Sequence, residues 1–351
     1  MQNSLSPLRR RRVLVAAVTG VAAAVVLAGC ASGGASTSSS GTPSYGALNV
    51  QLSYLKNTEF AGEFEADSKG YFKKAGFSPV TLTAGGGSAS IETEVATGKM
   101  LIGDNEPQIT APAILKGADI KIIGAEYQKN AFDVVSEKSN PVSDPADLKG
   151  KTVAVSSFNT SVWDTFLKAN GLKTSDMKIV PYTDGASQLA SGQVQAYLGF
   201  STEFTDTVGT KNVPVQQFLL ADKGLPGVTE TLIASTDDIK NHRAEVLAAL
   251  TAIAHGWKDA VADPSGATKL TVDDYGKSQN YTYASQLSAI TAQKSLMVTA
   301  DTEKNGLLTI TPALQKETVA SLQLGGVKIT TSKLFDTSLI NEVYKNHPSW
   351  K

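Results

Sequence analysis

The chain has 351 residues, a formal net charge of −1 and a charged fraction of 19%. This composition excludes the basic surface that nucleic-acid-binding proteins present to phosphate groups, and the apolar fraction of 41% is ordinary for a globular protein. The three histidines (His242, His255 and His347) lack metal-ligand spacing, and neither a Gly-x-Ser-x-Gly elbow nor a phosphate-binding loop occurs. The sequence therefore predicts no metal site, no cofactor and no enzymatic activity.

The first thirty residues have the pattern of an export signal. Four arginines at 9–12 precede a short apolar run at 13–27, which is typical of a secretory signal peptide and shorter than the ~20 residues of a membrane span. The sequence Leu-Ala-Gly-Cys at 27–30 resembles the lipobox of bacterial lipoproteins, in which cleavage leaves the cysteine as the lipid-carrying first residue. We therefore predict a signal peptide at 1–29 and lipidation of Cys30, the only cysteine. Sec and twin-arginine export both remain open.

The stretch that follows is predicted to be a flexible tether over 30–47. It consists mostly of Ser, Gly, Thr and Ala and offers too little apolar surface to offset chain entropy. Loss of the signal peptide removes four positive charges, so the net charge falls from −1 to −5. The remaining ~300 residues suit two domains or one large α/β unit.

From residue 48 onward, strand and helix patterns alternate along the chain. Strands are predicted at 48–54, 80–83, 100–103, 120–123, 132–135, 152–155, 179–182, 194–199, 215–220 and 229–234. Helices are predicted at 60–74, 91–97, 107–115, 161–169, 185–191, 243–263, 283–297, 312–322 and 337–344. This alternation predicts an α/β protein with mainly parallel sheets.

The segment at 52–77 resembles the opening of periplasmic-type substrate-binding proteins. The similarity is to the branch shared by sulfonate, nitrate and thiamine-precursor binders (NMT1/THI5-like), with Ala-x-x-x-Gly-Tyr-Phe-x-x-x-Gly at 66–76 and Phe77 in place of the usual leucine. Further matches follow in the family's order at 83–86, 95–103, 127–132, 147–155 and 192–197, where Gln195 replaces the usual aspartate. Together they cover roughly residues 48–260.

This resemblance implies an α/β, two-lobed fold of the periplasmic-binding-protein type II class, with a ligand cleft between lobes joined by two crossover strands. We place the crossovers near 132–137 and 229–235. Lobe 1 is then predicted at 48–132 and 233–351, and lobe 2 at 133–232.

The implied function is that of a solute-binding lipoprotein of an ABC importer. Such a protein is monomeric, is held by its lipid to the outer face of the bacterial cell membrane, and binds a small molecule by lobe closure. Its partners are an ABC permease and ATPase, and no nucleic acid is implied. A function of another class stays open, namely a ligand-sensing lipoprotein that signals to a membrane partner.

Ligands in open α/β sheets bind off the carboxyl ends of strands, which selects loop residues as the candidate site. These candidates are Tyr54, Lys56, Glu59, Phe60, Gly86, Ser88, Asn105, Glu106, Tyr127, Ser157, Asn159, Thr160, Thr183, Phe200 and Glu203. Several have a structural role as an open alternative: 85–88 as a turn, 156–160 as a helix cap, Tyr54 as a core aromatic and Glu203 as a solvated charge.

Acidic and aromatic residues outnumber the two nearby cations, Lys56 and Lys129, in these loops. A purely anionic ligand would need a cleft cation, so the balance favours a neutral or cationic aromatic heterocycle such as a thiamine-type pyrimidine or riboflavin. We expect an aromatic cage of Tyr54, Tyr127 and Phe200. A sulfonate, taurine or nitrate remains the alternative ligand.

Overall fold

The computed structural model describes residues 43–85, 90–203, 207–208 and 212–351. The predicted signal peptide, Cys30, most of the tether, Gly86 and Ser88 lie outside these residues. Among the described residues, no helix combines the length and apolarity that crossing a bilayer requires.

The strands of the described residues agree with the predicted ones in order and differ by a few residues at their ends. They are β1 (Gly46–Gln51), β2 (Phe77–Thr83), β3 (Ile102–Asn105), β4 (Ile120–Tyr127), β5 (Phe132–Glu137), β6 (Thr152–Val155), β7 (Lys178–Pro181), β8 (Ala196–Phe200), β9 (Thr207–Val208), β10 (Val213–Leu219) and β11 (Thr229–Ser235). The short strand β9 was not predicted.

The strands form two sheets. The first sheet has the order β2-β1-β3-β11-β4 and the second the order β7-β6-β8-β5-β10-β9. In the first sheet, β1 is parallel to β2 and β3, whereas β11 is antiparallel to β3 and β4. In the second sheet, β6 is parallel to β7 and β8, whereas β5 is antiparallel to β8 and β10. The prediction of mainly parallel sheets was therefore wrong, because the strands through which the chain passes between the sheets enter them in the reverse direction.

The points at which the chain passes between the two sheets can be compared with the predicted lobe boundaries. The chain leaves the first sheet after β4 and re-enters it at β11, which belongs to that sheet along its whole length. The predicted boundary at 232/233 falls inside this strand, and the lobe boundaries as such stay a prediction.

Helices cover the sheets and supply most of the C-terminal third of the chain. They are α1 (Ala61–Ser68), α2 (Tyr71–Ala75), α3 (Ile91–Ala96), α4 (Pro107–Leu115), α5 (Thr160–Ala169), α6 (Gly185–Ala190), α7 (Thr236–Asn241), α8 (Arg243–Ala262), α9 (Pro264–Leu270), α10 (Tyr283–Met297), α11 (Ala300–Asn305), α12 (Pro312–Leu324), α13 (Thr331–Leu334) and α14 (Ser338–Asn346).

The predicted helix at 60–74 is two helices, α1 and α2, separated at Gly70, whose backbone is left-handed. The short helices α7, α9, α11 and α13 were not predicted. Pro264 ends α8 as expected, and it is also the first residue of α9. Proline has no N–H group, and at the first position of a helix that group would have no partner within the helix.

Three large cores and one smaller core lie among the described residues, and two of the large ones bear on the site. One packs α1 and α8 against the first sheet and includes Phe60, Phe64 and Trp257. The other lies under the second sheet and includes Trp163 of α5. A Cβ atom at Gly256 would lie 1.9 Å from the carbonyl oxygen of Gly62, so only glycine lets α8 approach α1 this closely. This approach also brings Trp257 over the end of the first sheet.

Candidate ligand-binding site

A cavity of about 220 Å³ lies where the segment after β1 meets the segment after β8. We call it the cleft pocket; its lining residues are Asn57, Thr58, Glu59, Thr202, Glu203, Tyr281, Ser285, Gln286 and Ala289. They come from the first sheet's side, from the second sheet's side and from the region of α10. The pocket therefore joins parts of the chain that are far apart in sequence, and two of the predicted site residues, Glu59 and Glu203, line it.

The turn after β1 is held in place by hydrogen bonds of its own polar side chains. The Asn57 Oδ1 atom accepts from the Glu59 N–H group at 2.8 Å, which caps a short 3-10 turn leading into α1. The Thr58 N–H group and hydroxyl both donate to Gln286 Oε1 at 2.9 Å. These bonds tie the turn to α10 and fix Glu59 at the pocket wall.

Carboxyl groups dominate the electrostatics around the pocket. Burial, reinforced by the charges of Glu230 and Glu203, raises the pKa of Glu59 well above its usual range. Burial and the charge of Glu59 raise the pKa of Glu106 to about 8, and its Oε2 atom has no hydrogen-bond partner. Burial also raises the pKa of Glu203, although Glu203 keeps more than a third of its surface exposed. Such crowding of like charges favours a ligand that brings positive charge or N–H donors.

Glu230 at the start of β11 belongs to the same acidic group and was not predicted. Its carboxyl accepts hydrogen bonds from Ser53 Oγ at 3.0 and 3.2 Å, and burial followed by the charge of Glu106 raises its pKa. Its φ of 44° is left-handed, which costs about 1–3 kcal/mol for a non-glycine residue and is typical of functional sites. Local patterns could not reveal it, because Ser53 lies 177 residues away.

Asp133 of β5 is a further acidic residue that sequence reasoning missed. It is fully buried, and neither of its carboxylate oxygens has a hydrogen-bond partner. Burial, then the charge of Glu203, raises its pKa well above the usual range. A Cβ atom at the paired residue Gly199 would lie 2.6 Å from Asp133 Oδ1, so Gly199 leaves the room that this carboxylate occupies. The sequence feature that marks Asp133 is an acidic residue between Phe132 and Val134 in an otherwise apolar strand.

Two tyrosine rings lie near the acidic groups. Tyr54 has 47% of its surface exposed, and burial followed by the charges of Glu203 and Glu59 raises its pKa. Tyr281 lines the pocket, and burial followed by the charge of Tyr54 and then of Glu203 raises its pKa. Tyr54 was predicted; Tyr281 follows the 3-10 turn after α9, and its local pattern gave no signal. Both rings offer apolar faces beside carboxylates.

None of the predicted aromatic residues, Tyr54 included, belongs to the described lining of the cleft pocket. Phe60 is fully buried in the first core and is a core residue rather than a cleft residue. Tyr127 is also fully buried, with its ring centroid 6.1 Å from that of Phe200. Phe200 is half-buried, contacts both cores, and lies edge-on to Phe132 at 5.1 Å. The cage of Tyr54, Tyr127 and Phe200 stays a prediction: Tyr127 and Phe200 adjoin each other, but none of the three rings lines the cleft pocket.

The predicted polar residues divide into exposed and internally bonded groups. Ser157 and Thr160 are exposed at the start of α5, where the Thr160 hydroxyl donates to the Ser157 carbonyl oxygen. Asn159 is half-buried beside them, and Thr183 is exposed. These residues stand in loops of the second sheet and do not line the cleft pocket.

Asn105, Lys56 and Lys129 also lie outside the described lining of the cleft pocket. Asn105 is buried; its amide donates to Glu92, and its Oδ1 atom accepts from the Glu106 N–H group at 2.9 Å. Lys56 is half-buried. The exposed Lys129 Nζ atom lies 3.8 Å from Asp222 Oδ1. None of the described residues that line the cleft pocket is a lysine or arginine.

Solved structures with this architecture include two sulfonate-binding proteins. The periplasmic aliphatic sulphonate-binding protein SsuA from Escherichia coli is 14% identical, with a TM-score of 0.62, over 79% of this chain and 86% of that chain. The alkanesulfonate-binding protein SsuA from Xanthomonas axonopodis pv. citri, bound to MOPS, is 14% identical, with a TM-score of 0.58, over 86% and 99%. The desulfurization enzyme DSZB is 12% identical, with a TM-score of 0.52, over 86% and 99%. At these identities the similarity shows the fold alone, and it confirms the predicted α/β periplasmic-binding-protein architecture.

None of the curated proteins matches the chain. The model of the family described as NMT1/THI5 like matches residues 57–267, which is more than half of the 351 residues. The match includes β2 to β11 and the acidic residues around the cleft pocket, whereas β1 lies before it. The chain is therefore a member of the NMT1/THI5-like family, as the sequence motifs predicted.

Proposed function

We propose that this protein is the extracytoplasmic solute receptor of an ABC importer and that its ligand is a small aromatic heterocycle with cationic or N–H donor groups. A thiamine-type pyrimidine precursor has this chemistry. The observation that carries the proposal is the cleft pocket, where Glu59 and Glu203 face a space whose described lining has no basic residue.

The chemistry of the pocket walls supports an aminopyrimidine in particular. Ionised carboxylates accept hydrogen bonds from exocyclic amino groups and protonated ring nitrogens. The ring of Tyr281 in the pocket wall offers a face for stacking and for cation–π attraction, worth about 0.5–2 kcal/mol. Tyr54 lies outside this lining, but its pKa responds to the charges of the same two carboxyl groups, Glu203 and Glu59. The volume of about 220 Å³ is below the ~300–1,000 Å³ of ordinary ligand pockets, which favours a single-ring solute over the three fused rings of riboflavin.

A sulfonate or taurine is the second candidate, because SsuA proteins share the fold. Such an anion would lie beside Glu59 and Glu203 and would need a cation. Lys56 and Lys129 are the nearest basic residues in the loops of the predicted site. We therefore rank a sulfonate, and likewise nitrate, below a cationic heterocycle.

We also propose a receptor role without chemistry of its own, which the same features support. Residues on both sides of the pocket would contact one ligand, so ligand binding favours the state in which the two sides are close. A permease could recognise that state, and a lipid on Cys30 would hold the receptor at the membrane. A ligand-sensing partner instead of a permease is the alternative of another class.

Thermal unfolding of the mature chain carrying Cys30→Ser tests the ligand class. The panel holds a thiamine pyrimidine precursor, thiamine, riboflavin, taurine, an alkanesulfonate and nitrate. A ligand at 100 times its dissociation constant should add about 2.7 kcal/mol to the free energy of unfolding. Stabilisation by the pyrimidine compounds, weakened in Glu203→Gln, is the expected result. Stabilisation by a sulfonate or nitrate alone would contradict the proposed ligand but keep the receptor role.

A further inference from the structure

Three carboxyl groups converge on elements that the lining of the cleft pocket does not include. They belong to Glu63 in the first turn of α1, Asp104 of β3 and Glu126 of β4. One oxygen atom from each lies within 4.8 Å of the others, and all three residues are fully buried. The group therefore joins α1 to two strands of the first sheet.

These side chains are almost without hydrogen-bond partners. All four carboxylate oxygens of Glu63 and Asp104, and Oε2 of Glu126, are buried and unpartnered. Among the described residues, the Trp257 indole N–H group donates to Glu126 Oε1 at 3.0 Å, and Glu63 lies close enough to Glu126 to share a proton with it. None of the ion pairs between described residues includes any of the three.

Three unpaired buried carboxylates destabilise the folded protein unless a cation or protons neutralise their charge. An unpaired buried carboxylate costs several kcal/mol after relaxation of its surroundings, and unpartnered oxygens that point at one another add repulsion. Burial raises the pKa of Glu63 to about 7, so protons could relieve part of the charge. A proton shared between Glu63 and Glu126 would satisfy that pair but would leave the Asp104 carboxylate without a donor, whereas one cation contacts all three groups at once.

We propose that Glu63, Asp104 and Glu126 bind a hard divalent cation of the calcium class. Calcium takes oxygen ligands at about 2.3–2.6 Å, so two oxygen atoms across one ion are up to about 5 Å apart, which accommodates the 4.8 Å limit. Carboxylate oxygens without sulfur or imidazole donors suit Ca²⁺ or Mg²⁺ over Cu²⁺ or Zn²⁺. The ion would clamp α1 to the sheet and so hold Glu59, one turn before Glu63, at the pocket wall.

The position of Trp257 provides a direct readout, because excited indole transfers energy to a bound Tb³⁺ ion, which replaces Ca²⁺ at oxygen sites. The mature chain, stripped with EDTA, is titrated with Tb³⁺ and then with Ca²⁺. We expect sensitised emission that Ca²⁺ displaces and that Trp257→Phe removes, together with one Ca²⁺ per chain by mass spectrometry after dialysis. Calcium should also raise the unfolding temperature of the stripped protein.

Three variants separate a metal site from a merely acidic core. Glu63→Gln and Asp104→Asn should lose the bound ion and its stabilisation while remaining at least as stable as the stripped wild type, because each removes a buried charge. Glu126→Gln keeps an oxygen acceptor for Trp257 and should lose the ion as well. The matched control is Asp237→Asn, in the exposed group of Asp237, Asp238 and His242, which should respond like the wild type.

Wild-type protein without stoichiometric metal and without sensitised emission would overturn the proposal, as would equal metal stabilisation in Asp104→Asn. If the variants fail to fold, the wild-type metal content and Trp257→Phe still decide. The result is independent of the proposed ligand, since the heterocycle panel and Glu203→Gln test the pocket and leave the three carboxyl groups unchanged.

Discussion

Replacing Asp133 with asparagine should stabilise the unliganded protein and weaken ligand binding. Asp133 is fully buried and has no hydrogen-bond partner, so its charged form is costly in the absence of ligand. An amide of the same shape removes the charge. Because an unpartnered buried charge costs more than an unpartnered neutral group, we expect the free energy of unfolding at pH 7 to rise by at least about 1 kcal/mol.

The pH dependence of this gain has a fixed sign. Burial raises the folded-state pKa of Asp133 above its unfolded value, so the carboxyl is protonated in both states at pH values below the unfolded pKa. There the penalty is absent. It grows as the pH rises from the unfolded pKa through the raised folded pKa. The stability difference between Asp133→Asn and the wild type should therefore be small at pH 4 and larger at pH 7, as measured by urea unfolding.

Ligand affinity should move in the opposite direction. Asp133 does not line the cleft pocket, but its pKa responds to the charge of Glu203 on the pocket wall, so its carboxylate should also attract a cationic ligand. Loss of a buried partner of a cationic group typically costs about 2–5 kcal/mol, which sets an upper range of roughly 30- to 5,000-fold weaker binding. Gly199→Ala should mimic this loss, since its new Cβ atom would lie 2.6 Å from Asp133 Oδ1 and displace the carboxylate. Isothermal titration with the best ligand of the panel measures both variants. Unchanged affinity in Asp133→Asn, or a loss of stability at pH 7, would refute the assignment of Asp133 to the site.

Other predictions concern the pocket wall and the tether. Affinity for a permanently charged ligand should fall as the pH is lowered through the raised pKa of Glu203, and Glu203→Gln should flatten this profile; a steeper profile would contradict the role. The groups whose pKa values respond to the charge of Glu203 are Tyr54, Glu59, Asp133, Tyr182, Tyr197 and Tyr281. Tyr281→Ala should weaken binding by about 2- to 30-fold, the range of a cation–π contact, whereas Tyr281→Phe should retain most of the affinity; equal losses would point to the hydroxyl. Cys30→Ser should move the protein from the membrane fraction to the soluble fraction, and a membrane-bound variant would exclude the lipid anchor.

Several features of this protein could be predicted because they are encoded locally. Alternation of apolar residues and glycine stops placed most strands and long helices within a few residues, and the ordered motifs at 52–77 and beyond predicted the family that the comparison confirmed. The carboxyl-end rule also selected Glu59 and Glu203, because loops after strands are visible in sequence. The signal peptide and Cys30 are sequence predictions of the same local kind.

The sequence alone determined the order of the elements, the family and part of the acidic pocket, since each of these depends on neighbours in the chain. Tertiary structure decided the mixed direction of the sheets, the burial of Phe60 and Tyr127, and the entry of Tyr281 into the pocket. It also brought Ser53 to Glu230 across 177 residues and Trp257 to Glu126 across 131. Such pairs leave no local pattern, because their energy arises only when distant strands and helices pack and remove the same polar groups from water.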